Sequence, residues 1–114
     1  MNKKTAFISL SFFLIVLLFS CTKNSSTTFK YDITGCANFW DKHYTADTFS
    51  LEALNNTIHD FLATENIEVN SIEFDFDSTK VEYCYACHCK TGRVVFVNTS
   101  CRNKRKMKRL GFYK

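Results

Sequence analysis

The stretch SLEALNNTIHDFLATENIEVNSIEFDFD, residues 50–77, carries two hydrophobic periods, and the change from one to the other decides the fold class. In its first half Leu51, Leu54, Ile58, Phe61 and Leu62 recur at three- and four-residue spacing, which puts them on one helical face. Ser50 stands where an N-cap is needed, Phe49 and Leu54 are placed for a hydrophobic staple, and Glu52 complements the helix dipole. With Asn66 as a fair C-terminal stop, the spacing predicts a core helix from Ser50 to about Glu65. In the second half the period falls to two. Ile72, Phe74 and Phe76 alternate with Ser71, Glu73, Asp75 and Asp77, the pattern of a strand with one acidic, solvated face. Ile67 and Val69 have the opposite parity, so a bulge or kink is expected near Asn70-Ser71.

Further along the chain, Val81 to Tyr85 alternates again, and Arg93 to Val97 is a β-branched and aromatic run preceded by a turn signal at Thr91-Gly92. Ser100 is placed to cap a final basic helix to about Arg109, ended by Leu110-Gly111. Phe39, Trp40 and Tyr44 read as core aromatics. These elements describe a small single α+β domain, with one long amphipathic helix and a short basic C-terminal helix on an antiparallel sheet of three to four strands. Without proline and with only three glycines, the 114-residue chain shows no stiff linker to a second domain.

At 46% hydrophobic and 23% charged the chain is in the globular range, which excludes disorder, a collagen-like repeat and a multi-span membrane protein. The first 20 residues hold 13 of the hydrophobic ones. Met1-Asn2-Lys3-Lys4 is a positive leader, and the apolar run from Ala6 to Phe19, at 14 residues, is short for a membrane-spanning helix. The segment Leu18-Phe19-Ser20-Cys21 resembles the lipobox of bacterial lipoproteins. That resemblance implies removal of residues 1–20, diacylglyceryl transfer to the Cys21 thiol, and a membrane-anchored protein of the bacterial cell envelope. No aspartate follows Cys21, which favours the outer membrane. Residues 21–30, with the polar run from Thr22 to Thr28, are then a lipidated tether, and residues 31–114 the domain.

Charge is segregated. From Thr22 to Tyr83 there are 11 acidic and four basic residues, and from Cys84 to Lys114 nine basic and none acidic. The basic run from Lys104 to Arg109 reads first as a solvated helix face, partly neutralised by the acidic strand. The sharper reading is a patch for an anionic partner such as lipid headgroups or lipopolysaccharide; nucleic acid is not expected for an exported protein.

With Cys21 lipidated, five cysteines remain as disulfide candidates: Cys36, Cys84, Cys87, Cys89 and Cys101. An exported domain of this size benefits from such staples, and a bridge between Cys87 and Cys89 would be strained, so each is expected to reach a distant partner such as Cys36 or Cys101. Three other chemistries share the segment Cys84-Tyr-Ala-Cys87-His88-Cys89. Cys84, Cys87 and Cys89 can present three thiolates in one turn, a donor set suited to zinc or copper(I). Cys84-x-x-Cys87-His88 resembles the haem attachment motif of c-type cytochromes. That resemblance implies thioethers at Cys84 and Cys87, His88 as proximal ligand, and Met107, His43 or His59 as the sixth. Thiol–disulfide exchange by Cys84 and Cys87 is the enzymatic alternative, although no helix N-terminus is expected there to acidify a thiol. The spacing Cys-x-x-Cys-x-Cys-Lys-Thr-Gly-Arg is also similar to small cysteine-rich bacterial lipoproteins, a likeness that carries no activity with it. Asp75, Asp77 and Thr79 alternate like calcium ligands but lack the glycine and the distal glutamate. There is no phosphate loop, nucleophile elbow or His-Glu-x-x-His, so a non-enzymatic envelope protein is the expectation.

Overall fold

The computed structural model describes residues 25–45 and 47–114, so the expected signal sequence and Cys21 lie outside the described residues. Strand β3 (Lys90–Ser100) is the centre of a three-stranded antiparallel sheet, between β1 (Ser26–Thr34) and β2 (Val69–Phe76). Helix α1 (Leu51–Thr64) and the short basic α2 (Lys104–Leu110) complete a small α+β domain. Turns of 3-10 helix lie at Asp41–His43, Ser78–Lys80 and Cys101–Asn103.

The period-two residues of the sheet explain which face is buried. Phe29 pairs with Val97 and Tyr31 with Val95, while Ile72 and Phe74 meet the same two valines from the other side. Phe29, Val95 and Val97 are fully buried, and α1 lays Leu54, Ile58 and Leu62 over them. Each such side chain, removed from water, contributes roughly 1.5–3 kcal/mol. Ser50 caps α1 as expected, its Oγ accepting the Ala53 N–H at 3.0 Å, and the chain turns out of the helix at Asn66 with φ 58°. The bulge expected near Asn70-Ser71 is present as a register shift between Val69 and Ser71. Phe39, Trp40 and Tyr44 pack on the core, with Trp40 only 2% exposed.

Five expectations are corrected. Residues 26–30 are not tether: β1 begins at Ser26 and Phe29 is fully buried, because Phe29, Tyr31 and Ile33 alternate with polar residues and fill the free edge of β3. Val81 to Tyr85 is not a strand. Its alternation is not matched by burial, since Tyr83 and Tyr85 stand fully in solvent, and only Glu82 pairs, donating its N–H to the Lys90 carbonyl at 3.0 Å. Thr91-Gly92 lies inside β3 instead of in a turn before it. Gly92 takes φ 87° there, where a Cβ would meet the Val81 and Phe76 side chains at 2.6 and 2.8 Å. Leu51 is 48% exposed while Leu54, three residues on, is buried, and Phe49 carries the Arg93 guanidinium over its ring at 4.7 Å instead of closing a staple. Ser100 makes no capping hydrogen bond; the chain passes first through the Cys101–Asn103 turn, which is tied to the sheet by Asn103 Nδ2 donating to Thr99 Oγ1 at 3.0 Å.

Helix α2 ends at Gly111, in the left-handed conformation, and the tail then bridges to the edge of β1 through reciprocal Lys30–Tyr113 backbone hydrogen bonds of 2.7 and 2.8 Å. Met107 and Phe112 place α2 on the core side of the sheet. Glu73 and Asp75 have the opposite parity to Ile72 and Phe74 and face outward. The acidic strand and the basic helix therefore occupy opposite sides of the sheet, and the acidic face does not neutralise the basic one.

Candidate functional site

The cysteine segment forms a hooked loop at the Thr34–Lys90 end of the β1/β3 ladder. Cys36 bridges Cys87, with Cα atoms 4.5 Å apart, and Cys84 bridges Cys89 at 6.1 Å. The distant partner expected for Cys87 is thus Cys36, whereas Cys89 closes a local ring with Cys84. Backbone hydrogen bonds dock the loop on the end of β1: Gly35 N–H donates to the Cys89 carbonyl and Cys36 N–H to the Cys87 carbonyl, both at 3.1 Å. Glu82 closes the base of the hook, its Oε1 accepting the Lys90 N–H at 3.1 Å. Cys89 is buried, while Cys36, Cys84, Cys87 and His88 are exposed.

This arrangement bears on each chemistry weighed for the segment. Oxidised in two separate bridges, Cys84, Cys87 and Cys89 present no thiolate, and the two sulfurs of the haem motif belong to different bridges. The remaining haem-ligand candidates are placed by other demands: Met107 is fully buried in the core, His43 packs its ring on Phe61 at 5.1 Å, and His59 lies on the solvent side of α1 beside Asp60. No group of three or more His, Cys, Asp or Glu side chains arranged for a metal occurs among the described residues. Asp77 accepts the backbone N–H and hydroxyl of Thr79, a local turn. The loop is followed by β3 and not by a helix, so no helix dipole acts on its sulfurs. Cys101 is at the other end of the ladder, its Sγ 2.8 Å from Ser25 Oγ.

Comparison with protein-family models, with curated proteins and with solved structures finds no match to this chain.

Two features beside the loop were missed in the sequence. The first is an ionic cluster. Asp32 accepts from Lys80 Nζ at 3.0 Å and the Tyr113 hydroxyl at 2.7 Å, and pairs with Lys90 Nζ at 3.2 Å. Lys80 Nζ also donates to the Tyr113 hydroxyl. Burial pushes the Asp32 carboxyl up, but hydrogen bonds from Tyr113, Lys80 and Lys90 outweigh it and hold the group below its ordinary value. The Tyr113 and Asp32 hydrogen bonds hold Lys80 well above the usual lysine range. This cluster joins β1, the Ser78–Lys80 turn, the start of β3 and the C-terminal tail. Its members are 48 to 81 residues apart from Asp32 where they bond it across the chain, so no sequence window contains them.

The second is a cleft of about 430 Å³ between the end of β1 and the start of α1, walled by Ile33, Trp40, Tyr44 and Leu54. Its charged members are already engaged. Asp41 accepts the Asn38 N–H at 2.7 Å, and Arg93 lies over Phe49. The only signal in the sequence was the aromatic density of residues 39–49, which fits core packing equally well.

Proposed function

We propose that this chain is a lipid-anchored protein of the bacterial cell envelope, cut before Cys21, acylated on it, and non-enzymatic, with its cysteine loop serving as a structural staple. The observation that carries the reading is the segment Leu18-Phe19-Ser20-Cys21 after a basic leader and a short apolar core. Two disulfides clamping one small loop support it, because such bridges form and persist in an extracytoplasmic, oxidising compartment. The staple role follows from what the loop lacks: it has little apolar surface to bury, and the Cys36–Cys87 bridge closes it onto the end of β1 in place of a core. Two or three acyl chains at about 0.8 kcal/mol per buried CH₂ suffice for stable anchoring.

Cys21 has two mutually exclusive fates. Ser25, four residues after Cys21 in the sequence, touches Cys101, so acylation of Cys21 and a bridge from it to Cys101 are the two outcomes to separate. Expression with labelled palmitate, followed by intact-mass measurement before and after reduction, tests the proposal. The expected product is labelled, begins at Cys21, and gains two hydrogens per bridge on reduction. An unlabelled mature chain with Cys21 bridged to Cys101, or normal maturation of Cys21→Ser, overturns it. A covalent haem or a retained metal appears in the same spectrum as added mass and overturns the purely structural role of the loop.

A further inference from the structure

The β1/β3 ladder begins with Ser26 opposite Ser100, and the Cys101 N–H donates to the Ser25 carbonyl at 3.0 Å. Only three residues lie between Cys21 and Ser25, four steps that span at most about 14 Å. A lipid on Cys21 therefore enters its leaflet close to the Cys101–Asn103 turn and α2, the most basic part of the chain. There Arg102, Lys104, Arg105, Lys108, Arg109 and Lys114 are all exposed. Among the described residues the ion pairs involve His59, Lys80 and Lys90, and none involves these six. Lys106, by contrast, is turned toward α1, donating to the Glu65 carbonyl at 3.1 Å. Lys104 and Lys108, one helical turn apart, and Lys114 line a single groove of about 550 Å³ whose inner side is formed by Phe29 and Phe112.

We propose that this lysine groove and the basic face around it form a membrane-docking surface that takes the phosphates of anionic phospholipid headgroups in the leaflet holding the Cys21 lipid. The inference rests on anchoring at Cys21 and adds the partner and the orientation. Charge complementarity selects the occupant: three lysines line one concave site with no acidic residue in its lining, and Glu73 and Asp75 of β2 face the other side of the sheet. The short tether supplies proximity. Attraction to an anionic surface decays over a Debye length of about 8 Å at physiological salt, a distance comparable to the reach of four residues. Each lysine held near such a surface raises the bound population about fivefold. The domain then sits with α2 on the bilayer and the cysteine loop away from it. The nine residues of β1 set the two ends eight steps apart, roughly 26 Å at strand rise.

The test uses the mature protein extracted from membranes, with its acyl mass confirmed first, in phosphatidylcholine vesicles with or without phosphatidylglycerol. Amine- and imidazole-reactive labelling is read residue by residue. The expected result is labelling of Lys104, Lys108 and Lys114 slowed about fivefold by phosphatidylglycerol, with the protection lost at about 1 M salt and His88 labelled equally in both vesicles. Equal labelling of the three lysines on an acylated, vesicle-bound protein overturns the docking surface while leaving the anchor standing. Protection only in vesicles containing lipid A overturns the phospholipid assignment. A chain without acyl mass overturns both readings, and this is known before any labelling is done.

Discussion

The two ends of the β1/β3 ladder are held by different forces. At the Ser26–Ser100 end the chain buries apolar surface: Phe29, Leu62, Val97 and Met107 are fully enclosed, and Phe112 is 3% exposed. At the Thr34–Lys90 end Tyr83 and Tyr85 point into solvent, and the structure is closed by the Cys36–Cys87 and Cys84–Cys89 bridges and by Asp32 with its two lysines. A domain of this size buries a smaller share of its surface than a larger one, and the exposed loop beyond Thr34 and Lys90 has little apolar surface to contribute. The core continues toward this end through Ile33, Trp40 and Leu54, and the cysteine loop beyond it is held by covalent and ionic links that need little surface. The difference also separates the environments on which each end depends: solvent exclusion for the first, redox state and pH for the second.

The largest expected effect is at the apolar end. Phe29→Ala empties a fully buried site in the core and should cost about 5 kcal/mol in urea unfolding. A loss under about 1 kcal/mol would mean that the core is not where the stability of this end resides.

Removing the bridges probes the opposite end. The Cys36–Cys87 bridge closes a separation of 51 residues, and replacing both cysteines by serine should cost about 4 kcal/mol. The Cys84–Cys89 bridge closes a separation of only 5, and its removal should cost about 2 kcal/mol. Hydrogen exchange sharpens the contrast. Without the Cys36–Cys87 bridge, the Gly35 and Cys36 amides, which donate to the loop carbonyls, should lose protection before those of Val95 and Val97. Simultaneous loss at both ends would show that the two are one cooperative unit.

The smallest effect is ionic. Asp32→Asn leaves Lys80 and Lys90 without their charge partner and should cost about 1.5 kcal/mol near neutral pH. The sign of the pH dependence follows from the depressed folded-state value of Asp32. The stability it contributes is complete above the ordinary carboxylate range and is lost as pH falls through the folded value. Wild-type stability should therefore drop below about pH 4 more steeply than that of Asp32→Asn. Parallel acid profiles for the two proteins would show that the cluster contributes nothing to this end.

Much of the apolar end was legible in the sequence. The 3.6-residue period of α1, its Ser50 cap and the parity break before β2 are each contained within a few residues, and local steric rules act at that range. Strand β1 was equally readable from Phe29, Tyr31 and Ile33, but its polar neighbours and its position just after the lipobox-like segment gave it the look of a tether. The stapled end was legible only as a concentration of cysteines. Val81 to Tyr85 alternates like a strand, yet nothing local shows that Cys84 within it and Cys87 just beyond it are bridged and that the segment leaves the sheet.

The sequence by itself determined the α+β class, the helix that covers the sheet and the basic character of the last element, because hydrophobic period and charge are properties of neighbouring residues. The tertiary structure alone decided that Cys36 takes Cys87 while Cys84 takes Cys89, that Asp32 gathers Lys80, Lys90 and Tyr113, and that Ser25 meets Cys101. These pairings join residues up to 81 positions apart, and only the order β1-β3-β2 and its register bring them within reach. Periodicity states which face of an element is buried; which elements lie side by side is settled by packing them.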